Sequence, residues 1–401
     1  MVAETKGGKS PSISVVIPCF RAGELLAQAI ESVLAQTETD WELILVDNNA
    51  SKETKEVISR FVRLFPEKIR GVYEPDQGNS SARNRGIKEA QGAYIAFLDD
   101  DDQMYPERLS FQVEALSRQP DSVLCFGGID WVSFDDSKVM HSSARDADFP
   151  FFRESSNHLK NSLRLTFPEP RPSSVMIKQS IIEKVKGFDP HFNPFFLEET
   201  DFYFRVAQMG PFVEVDRPVI RFRMPAPEFL KKKRIDNVRK FRLLLNQDYF
   251  FSKIKTFLKE KNLLQDPYIR KDLKRMKSQW LREISFDFMS IPGGEKYARL
   301  LLWRAIRESP LDLKSLKHLL RSFAPLATRA RRYKSLHVYE EGIPPEITED
   351  LLFGLFNGDH HCSFCDSSYS FSGNSDNHLG PSGLNQLHHD TTSSTGNKCR
   401  K

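Results

Sequence analysis

Strand and helix alternate four times in the first hundred residues of this chain. Short, largely apolar segments at 13–17, 42–46, 69–73 and 94–98 predict buried strands, and helical periodicity lies between them. Strands that are apolar along their length and joined by helices are typical of a parallel sheet covered on both faces. The alternation therefore predicts an α/β fold with a mostly parallel sheet sandwiched between helices.

The next block of sequence continues the same domain. Strands are predicted at 123–127, 173–178 and 212–223, with a helix at 199–209. We interpret this block as the acceptor-binding half of the domain that the first block begins.

Charge separates the rest of the chain from this domain. The net charge is only +4, but residues 229–339 contain 28 Lys/Arg against 10 Asp/Glu, which leaves −14 on the remainder. The predicted organisation is a polar N-terminal segment at 1–11, a domain at 12–228 with halves 12–122 and 123–228, a basic helical region at 229–340, and a mixed segment with a tail that is expected to be disordered at 341–401.

Three interpretations of the basic region stay open. Its charges are simply solvated, or residues 229–335 attach to an anionic membrane as a peripheral contact, or they bind nucleic acid, which no recognised motif supports.

The five cysteines form no disulfide pattern and no secretory signal opens the chain, so a cytoplasmic setting is expected, with the inner face of the membrane as the place of any such contact. In the tail, Cys362, Cys365 and His378 begin like a zinc site, but the spacing that follows does not continue one.

Four consecutive aspartates, Asp99 to Asp102, follow the fourth predicted strand. Neighbouring carboxylates repel by about 4 kcal/mol per pair at an effective dielectric near 20, so a folded site that holds several usually holds a cation as well. The alternative is that one aspartate caps a helix near Tyr105 and the others are solvated. Because open α/β sheets bind their ligands at the carboxyl ends of strands, the position favours a divalent metal and a phosphorylated ligand.

Other acids stand at matching positions. Asp47 follows the second strand, and Glu198 and Glu199 begin a predicted helix. The turn at 18–23 lacks the glycine-rich fingerprint of dinucleotide-binding dehydrogenases, and a P-loop is missing. A metal between two phosphates, with a separate carboxylate to deprotonate an acceptor hydroxyl, is the chemistry of transfer from a nucleotide diphosphate.

Five segments then carry a specific resemblance. The chain resembles a family 2 glycosyltransferase, an inverting enzyme with the Rossmann-like glycosyltransferase A-type fold. The segments stand in the family's order: SVVIPCF (14–20), ILVDNNAS (44–51), GNSSARNRGIKEAQGAYIAFLDDDD (78–102), GFDPHF (187–192) and EETDFYFR (198–205).

The resemblance implies transfer from a nucleotide-diphosphate sugar to a hydroxyl of a glycan, a glycolipid or a cell-surface polysaccharide precursor. Mg²⁺ or Mn²⁺ would be the cofactor. Asp99 and Asp101 match the D-x-D motif, with Asp101 the first choice as metal ligand and Asp99 a metal or ribose contact. Glu199 falls on the catalytic base, next to Glu198. The positions implied to bind the nucleotide sugar are Pro18, Phe20, Asp47, Asn48, Arg83, Asp99 and Asp100.

The chain also departs from the family pattern. Glu199 stands where Asp is usual, Asn48 replaces a common Asp, and Met224 follows a strand that often precedes a metal-contacting His. No Gln-x-x-Arg-Trp motif is present, which disfavours a processive synthase.

Alternatives to these roles stay open. Asp47 could close a turn, Arg83 could be a solvated helix charge, and the acids at 198–201 could serve only the helix dipole. A nucleotidyl- or phosphosugar transferase and a non-catalytic binding protein are the alternative functions.

Overall fold

A nine-stranded sheet organises the part of the chain that the computed structural model describes, which is residues 11–143, 170–193, 197–224, 237–289 and 294–323. These residues all fall within one compact unit, Met1–Glu346. The predictions for 1–10 and 341–401, including the zinc alternative, lie outside the described residues.

The first half of the sheet follows the predicted alternation. Its strands pair in parallel in the order β3-β2-β1-β4, which confirms the predicted fold class. The elements are β1 (Ile13–Cys19), α1 (Glu24–Leu34), β2 (Trp41–Asp47), α2 (Lys52–Leu64), β3 (Ile69–Tyr73), α3 (Asn79–Glu89) and β4 (Tyr94–Phe97).

Strand β1 runs past Pro18, where the sequence predicted a stop. Its ladder with β4 ends at Val16, while its ladder with β2 continues to Cys19. A proline has no N–H to donate to a ladder, so it fits where the strand has a partner on only one side. β1 therefore extends towards the carboxyl edge of the sheet, where the predicted site lies.

The second half of the sheet is mixed. Strand β8 runs antiparallel to both β4 and β6, while β6 and β9 form a parallel ladder of nine residue pairs. The elements are β5 (Gln103–Met104), α4 (Arg108–Arg118), β6 (Leu124–Val132), β7 (Val139–Ser142), β8 (Val175–Lys178), α5 (Gln179–Val185), α6 (Glu198–Val206) and β9 (Phe212–Arg223).

Alternate residues of the strands bury their side chains on opposite faces of the sheet. Val15 packs into a cluster with residues of α1, α2 and α4, and Val16 packs into a second cluster with residues of α3, α5 and α6. Helix α3 lies so close to β1 that a Cβ on Gly86 would come within 2.2 Å of Val16 Cγ1. Helices thus cover both faces, as predicted.

The basic region is helical, as predicted. Its described residues form α7 (Asn237–Glu260), α8 (Pro267–Met289), α9 (Glu295–Glu308) and α10 (Leu313–Arg321). Within the described ranges, none of the helices combines the length and the apolar character that crossing a bilayer requires.

Helix α7 shares a hydrophobic core with the acceptor half of the sheet domain. Phe192 and Phe204 pack in one cluster with Phe250 and Ile254 of α7. The predicted domain boundary near 228 therefore separates two segments that bury side chains against each other.

A lysine of α7 reinforces this packing electrostatically. Lys253 Nζ lies 2.6 Å from Asp189 Oδ2 and 2.6 Å from Asp201 Oδ1, and Tyr249 donates a 3.0 Å hydrogen bond to Asp189. Asp201 belongs to α6, the helix that begins with Glu198 and Glu199. The position of α6 therefore depends on contacts from α7.

Replacing Lys253 with Met should lower the free energy of unfolding by about 3 kcal/mol, because the buried carboxylate of Asp201 would keep only one of its two cations, Arg205. The Asp201 side chain is only 2% exposed. The exposed Lys255, two positions along α7, gives the matched control Lys255→Met, which should change stability by less than about 0.5 kcal/mol. Urea unfolding measures both.

The same contact predicts that the wild type and Lys253→Met differ in how much stability they lose at low pH. Burial alone would raise the pKa of Asp189, but hydrogen bonds from Lys253 and from the His191 N–H outweigh burial and lower that pKa. A carboxylate with a lowered pKa in the folded state stabilises the fold above its ordinary pKa of about 4 and loses that contribution as the pH falls. The wild type should thus lose more stability than Lys253→Met on acidification; parallel acid-unfolding curves would contradict the assignment.

Candidate active site

A single buried guanidinium joins the acids that the sequence places at two distant points. Arg83 of α3 is 1% exposed, and its Nη2 lies 3.1 Å from Asp99 Oδ1 and 3.7 Å from Glu199 Oε1. Its Nη1 lies 3.8 Å from Glu198 Oε1. The carboxyl end of β4 and the start of α6 therefore meet at Arg83, and the alternative that Arg83 is a solvated helix charge is wrong.

The surroundings of Arg83 keep it cationic. Burial favours loss of its proton, but the negative charges of Asp99, Glu199 and Glu198 outweigh burial and raise the pKa of Arg83. The ring of Phe188 also lies 5.4 Å from the guanidinium carbon, in cation–π geometry. The structure thus uses Arg83 to hold three carboxylates. The nucleotide contact that the resemblance implies for it stays a prediction.

Helix α3 also holds the GFDPHF turn beside Arg83. The Asn84 side chain donates to Phe188 O and accepts from Phe188 N, both at 2.8 Å. Asn193 accepts from Ser80 N at 3.0 Å and donates to Ser81 Oγ at 2.7 Å. The sequence analysis missed both asparagines; Asn84 could have been suspected from its place beside Arg83 in the matched segment, whereas Asn193 had no local signal.

The four aspartates point to different partners. The backbone N–H of Asp99 donates to Ser173 Oγ at 3.0 Å, and Asp100 Oδ2 accepts from Phe20 N at 2.8 Å. Asp102 is buried and accepts from Arg223 N at 3.1 Å, so it supports the sheet and does not begin a helix. The side chain of Asp101 is exposed. Asp101 is therefore placed to meet a ligand from solvent.

Negative charge accumulates in this run. Burial raises the pKa of Asp100 to about 7, with a further contribution from the charges of Asp101 and Asp99. Asp101 is exposed, yet partial desolvation of its carboxylate and the charge of Asp99 raise its pKa to about 6. Burial and the same two neighbours raise the pKa of Asp102 well above its ordinary value. The cluster would gain from an added cation.

Arg223 supports this cluster from the end of β9. It is buried and donates to Asp101 O at 3.1 Å, to Phe134 O at 2.8 Å and to Gln28 Oε1 at 2.7 Å. The sequence pattern drew attention to Met224, where a metal-contacting His was to be expected, and gave no sign that Arg223 itself fixes the aspartate loop.

The residues that the resemblance places beside the nucleobase differ in their availability. Pro18 is half-buried and Phe20 is exposed, with the Arg21 guanidinium 4.7 Å from the centre of the Phe20 ring. Asp47 accepts from Ala50 N at 2.8 Å, so it does close the turn after β2, and its side chain remains 20% exposed.

Asn48 is placed differently from the expectation. It is only 4% exposed, its Nδ2 donates to Glu74 O and Asp76 O, and its Oδ1 accepts from Gly78 N. These hydrogen bonds occupy the amide in holding the loop that leads into α3. The geometry therefore gives no support to a nucleobase contact by Asn48.

The aspartates fit a metal only in part. Among the described residues, no three His, Cys, Asp or Glu side chains gather in a way that could hold a metal ion by themselves. Mg²⁺ in nucleotide-binding sites typically takes one or two carboxylates and completes its octahedron with phosphates and water. Asp101, with Asp99 at 34% side-chain exposure, supplies hard oxygen donors of that kind.

Part of this chain matches a known protein family. Residues 14–185 match the family model described as Glycosyl transferase family 2. These residues form a glycosyltransferase family 2 domain. The match includes the segments at 14–20, 44–51 and 78–102, whereas 187–192 and 198–205 lie beyond its end.

Two curated relatives are similar to part of this chain. An uncharacterized glycosyltransferase of Nostoc sp. is 31% identical over 180 residues, which are 44% of this chain and 54% of the relative. TuaG of Bacillus subtilis, a glycosyltransferase whose name assigns it provisionally to teichuronic acid biosynthesis, is 35% identical over 105 residues, 26% of this chain and 41% of the relative. The chain thus spans about half or less of the length of these relatives.

Two solved structures are similar at a lower level of sequence identity. A mannosyltransferase from Pyrobaculum calidifontis, solved with GDP-Man and Mn²⁺, is 16% identical with a TM-score of 0.46, covering 83% of this chain and 82% of that one. TarS residues 1–349 from S. aureus, solved with UDP-GlcNAc, is 13% identical with a TM-score of 0.43, covering 83% and 100%.

Replacing Arg83 with Met should cost about 3 to 5 kcal/mol of unfolding free energy, because Asp99, Glu198 and Glu199 would lose the cation they share. Arg85→Met on the same helix removes only the half-exposed pair with Glu89 and should cost less than about 0.5 kcal/mol. Chemical denaturation at neutral pH compares the two.

A second variant tests the charge explanation. Glu198→Gln in the Arg83→Met background should recover part of the lost stability, because one of the uncompensated carboxylates is gone. A cost for Arg83→Met as small as that for Arg85→Met would show that the three contacts do not hold the site together.

Proposed function

We propose that the domain at 12–228 transfers a sugar, with inversion, from a nucleotide-diphosphate sugar to an acceptor hydroxyl. The observation that carries this proposal is the contact set of Arg83, because it brings Asp99 of the D-x-D segment and Glu199 within 4 Å of one nitrogen atom. The family 2 domain supports the reaction class.

The donor would lie over the carboxyl ends of β1, β2 and β4. Phe20 and Pro18 would flank the nucleobase, and the exposed part of Asp47 would contact the nucleoside. Asp100, held by the Phe20 N–H, ties the aspartate loop to the β1 turn, so the two parts of the donor site keep a fixed spacing. Of the residues that the resemblance implies, Asn48 is the one whose geometry favours a purely structural part.

Asp101, together with Asp99, would hold Mg²⁺ or Mn²⁺. The bound ion would neutralise charge on the departing diphosphate. Arg223 fixes the backbone of Asp101 through its carbonyl, which limits how far this carboxylate can move away from the donor.

Glu199 would take the acceptor proton. Its side chain is 23% exposed, whereas that of Glu198 is 8% exposed, so Glu199 is the more accessible of the two acids. As the acceptor oxygen bonds to the anomeric carbon, the bond from that carbon to the diphosphate breaks and the hydroxyl proton passes to Glu199. Arg83 fixes the position of this carboxylate, which a base of this kind needs.

The proposal names the acceptor by chemical class. A hydroxyl of a glycan, a glycolipid or a cell-surface polysaccharide precursor would suit the reaction, and the name of the Bacillus subtilis relative favours the last of these. A panel of acceptors tested with one active donor would identify it.

Asp101→Asn should abolish the metal-dependent part of donor binding and lower transfer at least about 100-fold, because one ligand charge is lost while the shape is kept. Asp121→Asn, at an exposed acid beyond α4, is the control and should behave like the wild type. Thermal stabilisation by a panel of nucleotide sugars, with and without Mn²⁺, measures binding. Full activity of Asp101→Asn with a metal-requiring donor would refute the assignment, and release of pyrophosphate would identify a nucleotidyltransferase.

Glu199→Gln should retain donor binding and lose about 10² to 10⁴ in kcat, because the amide cannot accept the proton. Glu183→Gln, at an exposed position of α5, is the matched control. Titration of the donor and steady-state assays on the same protein separate binding from turnover. A parallel loss of both would point to a structural part for Glu199 in the Arg83 cluster.

A further inference from the structure

The last two helices of the described chain turn large apolar side chains outwards. Leu311, in the turn between them, is 91% exposed, and Leu320 of α10 is 66% exposed. Isolated exposed leucines are common in proteins, but a concentration of them marks an interaction surface. The apolar members are Leu300, Trp303, Leu311, Leu313, Leu316, Leu320 and Phe323.

Helix α10 shows most clearly that this surface is not explained by internal packing. Its outward positions are Leu313, Leu316 and Leu320, spaced three and four residues apart, whereas Ser315 is fully buried together with Leu319. Ser315 Oγ donates to Asp312 at 2.7 Å. A helix that only completed a core would bury its leucines and expose its serine. The outer face of α10 therefore suits an apolar environment that the described residues do not supply.

The exposed charges among these helices are all positive. Among the residues that the structure describes between 294 and 323, the exposed charged ones are Lys296, Arg307, Lys314 and Lys317. Two acids of the same stretch are paired with cations of α8: Glu308 lies 3.1 Å from Lys277, and Asp312 pairs with Arg282. We call the seven apolar and four basic residues the α9–α10 face.

Basic side chains border or join the apolar stripes of these helices. At 3.6 residues per turn, Leu313, Leu316 and Leu320 form one stripe of α10 and Lys317 and Lys314 lie along its edge, while Trp303 lies with Leu300 and Arg307 on the exposed stripe of α9. Lysine and arginine stems can lie along an apolar layer while their charges reach phosphate groups, and tryptophan favours the boundary between the two. A second copy of this chain would present the same positive charges and repel.

We propose that the α9–α10 face docks on the surface of an anionic lipid bilayer. Leucine and tryptophan side chains enter the boundary of the acyl layer, and the four cations contact lipid phosphates. This peripheral contact narrows the membrane interpretation of the basic region to one face, and it does not rest on the proposed sugar transfer.

Vesicle flotation of the full chain tests the proposal. The wild type should float with phosphatidylcholine vesicles that contain phosphatidylglycerol, bind less as salt rises, and bind phosphatidylcholine alone far more weakly. Leu316→Glu with Leu320→Glu should weaken binding about tenfold or more, and so should Lys314→Glu with Lys317→Glu. Because all four side chains are exposed, thermal unfolding should be unchanged.

Matched controls separate the face from general charge. Leu64→Glu, at a 63% exposed position of α2, and the pair Lys88→Glu with Lys184→Glu, exposed on α3 and α5, should keep wild-type binding. The proposal fails if the two leucine substitutions leave flotation unchanged, or if neutral vesicles bind equally well. It also fails if the wild type does not bind vesicles and light scattering shows that the two leucine substitutions convert an oligomer to a monomer. The face would then join copies of the chain.

Discussion

The structure of the candidate site depends on the ion-pair cluster around Arg83. Three carboxylates that repel one another at this spacing can be brought together only if a cation is placed among them, and burial of that cation is itself unfavourable unless the acids surround it. Each partner therefore stabilises a placement that would be costly alone. The result is that the end of β4 and the start of α6, a hundred residues apart in sequence, keep a defined spacing.

Helix α3 is the element through which this spacing is set. Close packing of Gly86 on β1 fixes the helix against the sheet, and Asn84 and Ser80 then attach the turn at 187–193 to its other side. The separate segments that carry the family resemblance need not each touch a ligand. Here several of them serve to place the few side chains that face solvent, among them Asp101 and Glu199.

Sequence reasoning predicted the first half of the sheet because its strands are apolar throughout and its helices have a clear period. It did not predict β5 and β7, since strands of two and four residues owe their existence to the neighbours β9 and β6. The acids of the site were predictable from their place after strands. The burial of Arg83 was not predictable, because arginine side chains are mostly exposed and only acids distant in sequence explain this one. Asn48 shows the same limit, as its partners are backbone carbonyls of a loop 26 and 28 residues away.

Lys253 has a consequence for where this protein divides. The family match ends at residue 185, yet Glu199 stands on a helix whose Asp201 is paired with a lysine from α7. The unit recognised by sequence similarity is thus shorter than the unit that must fold together. Substitutions in α7 would change the site without lying in it. The sequence of α7 can therefore change only as far as the position of the acidic helix α6 is preserved, although α7 carries no motif of the family.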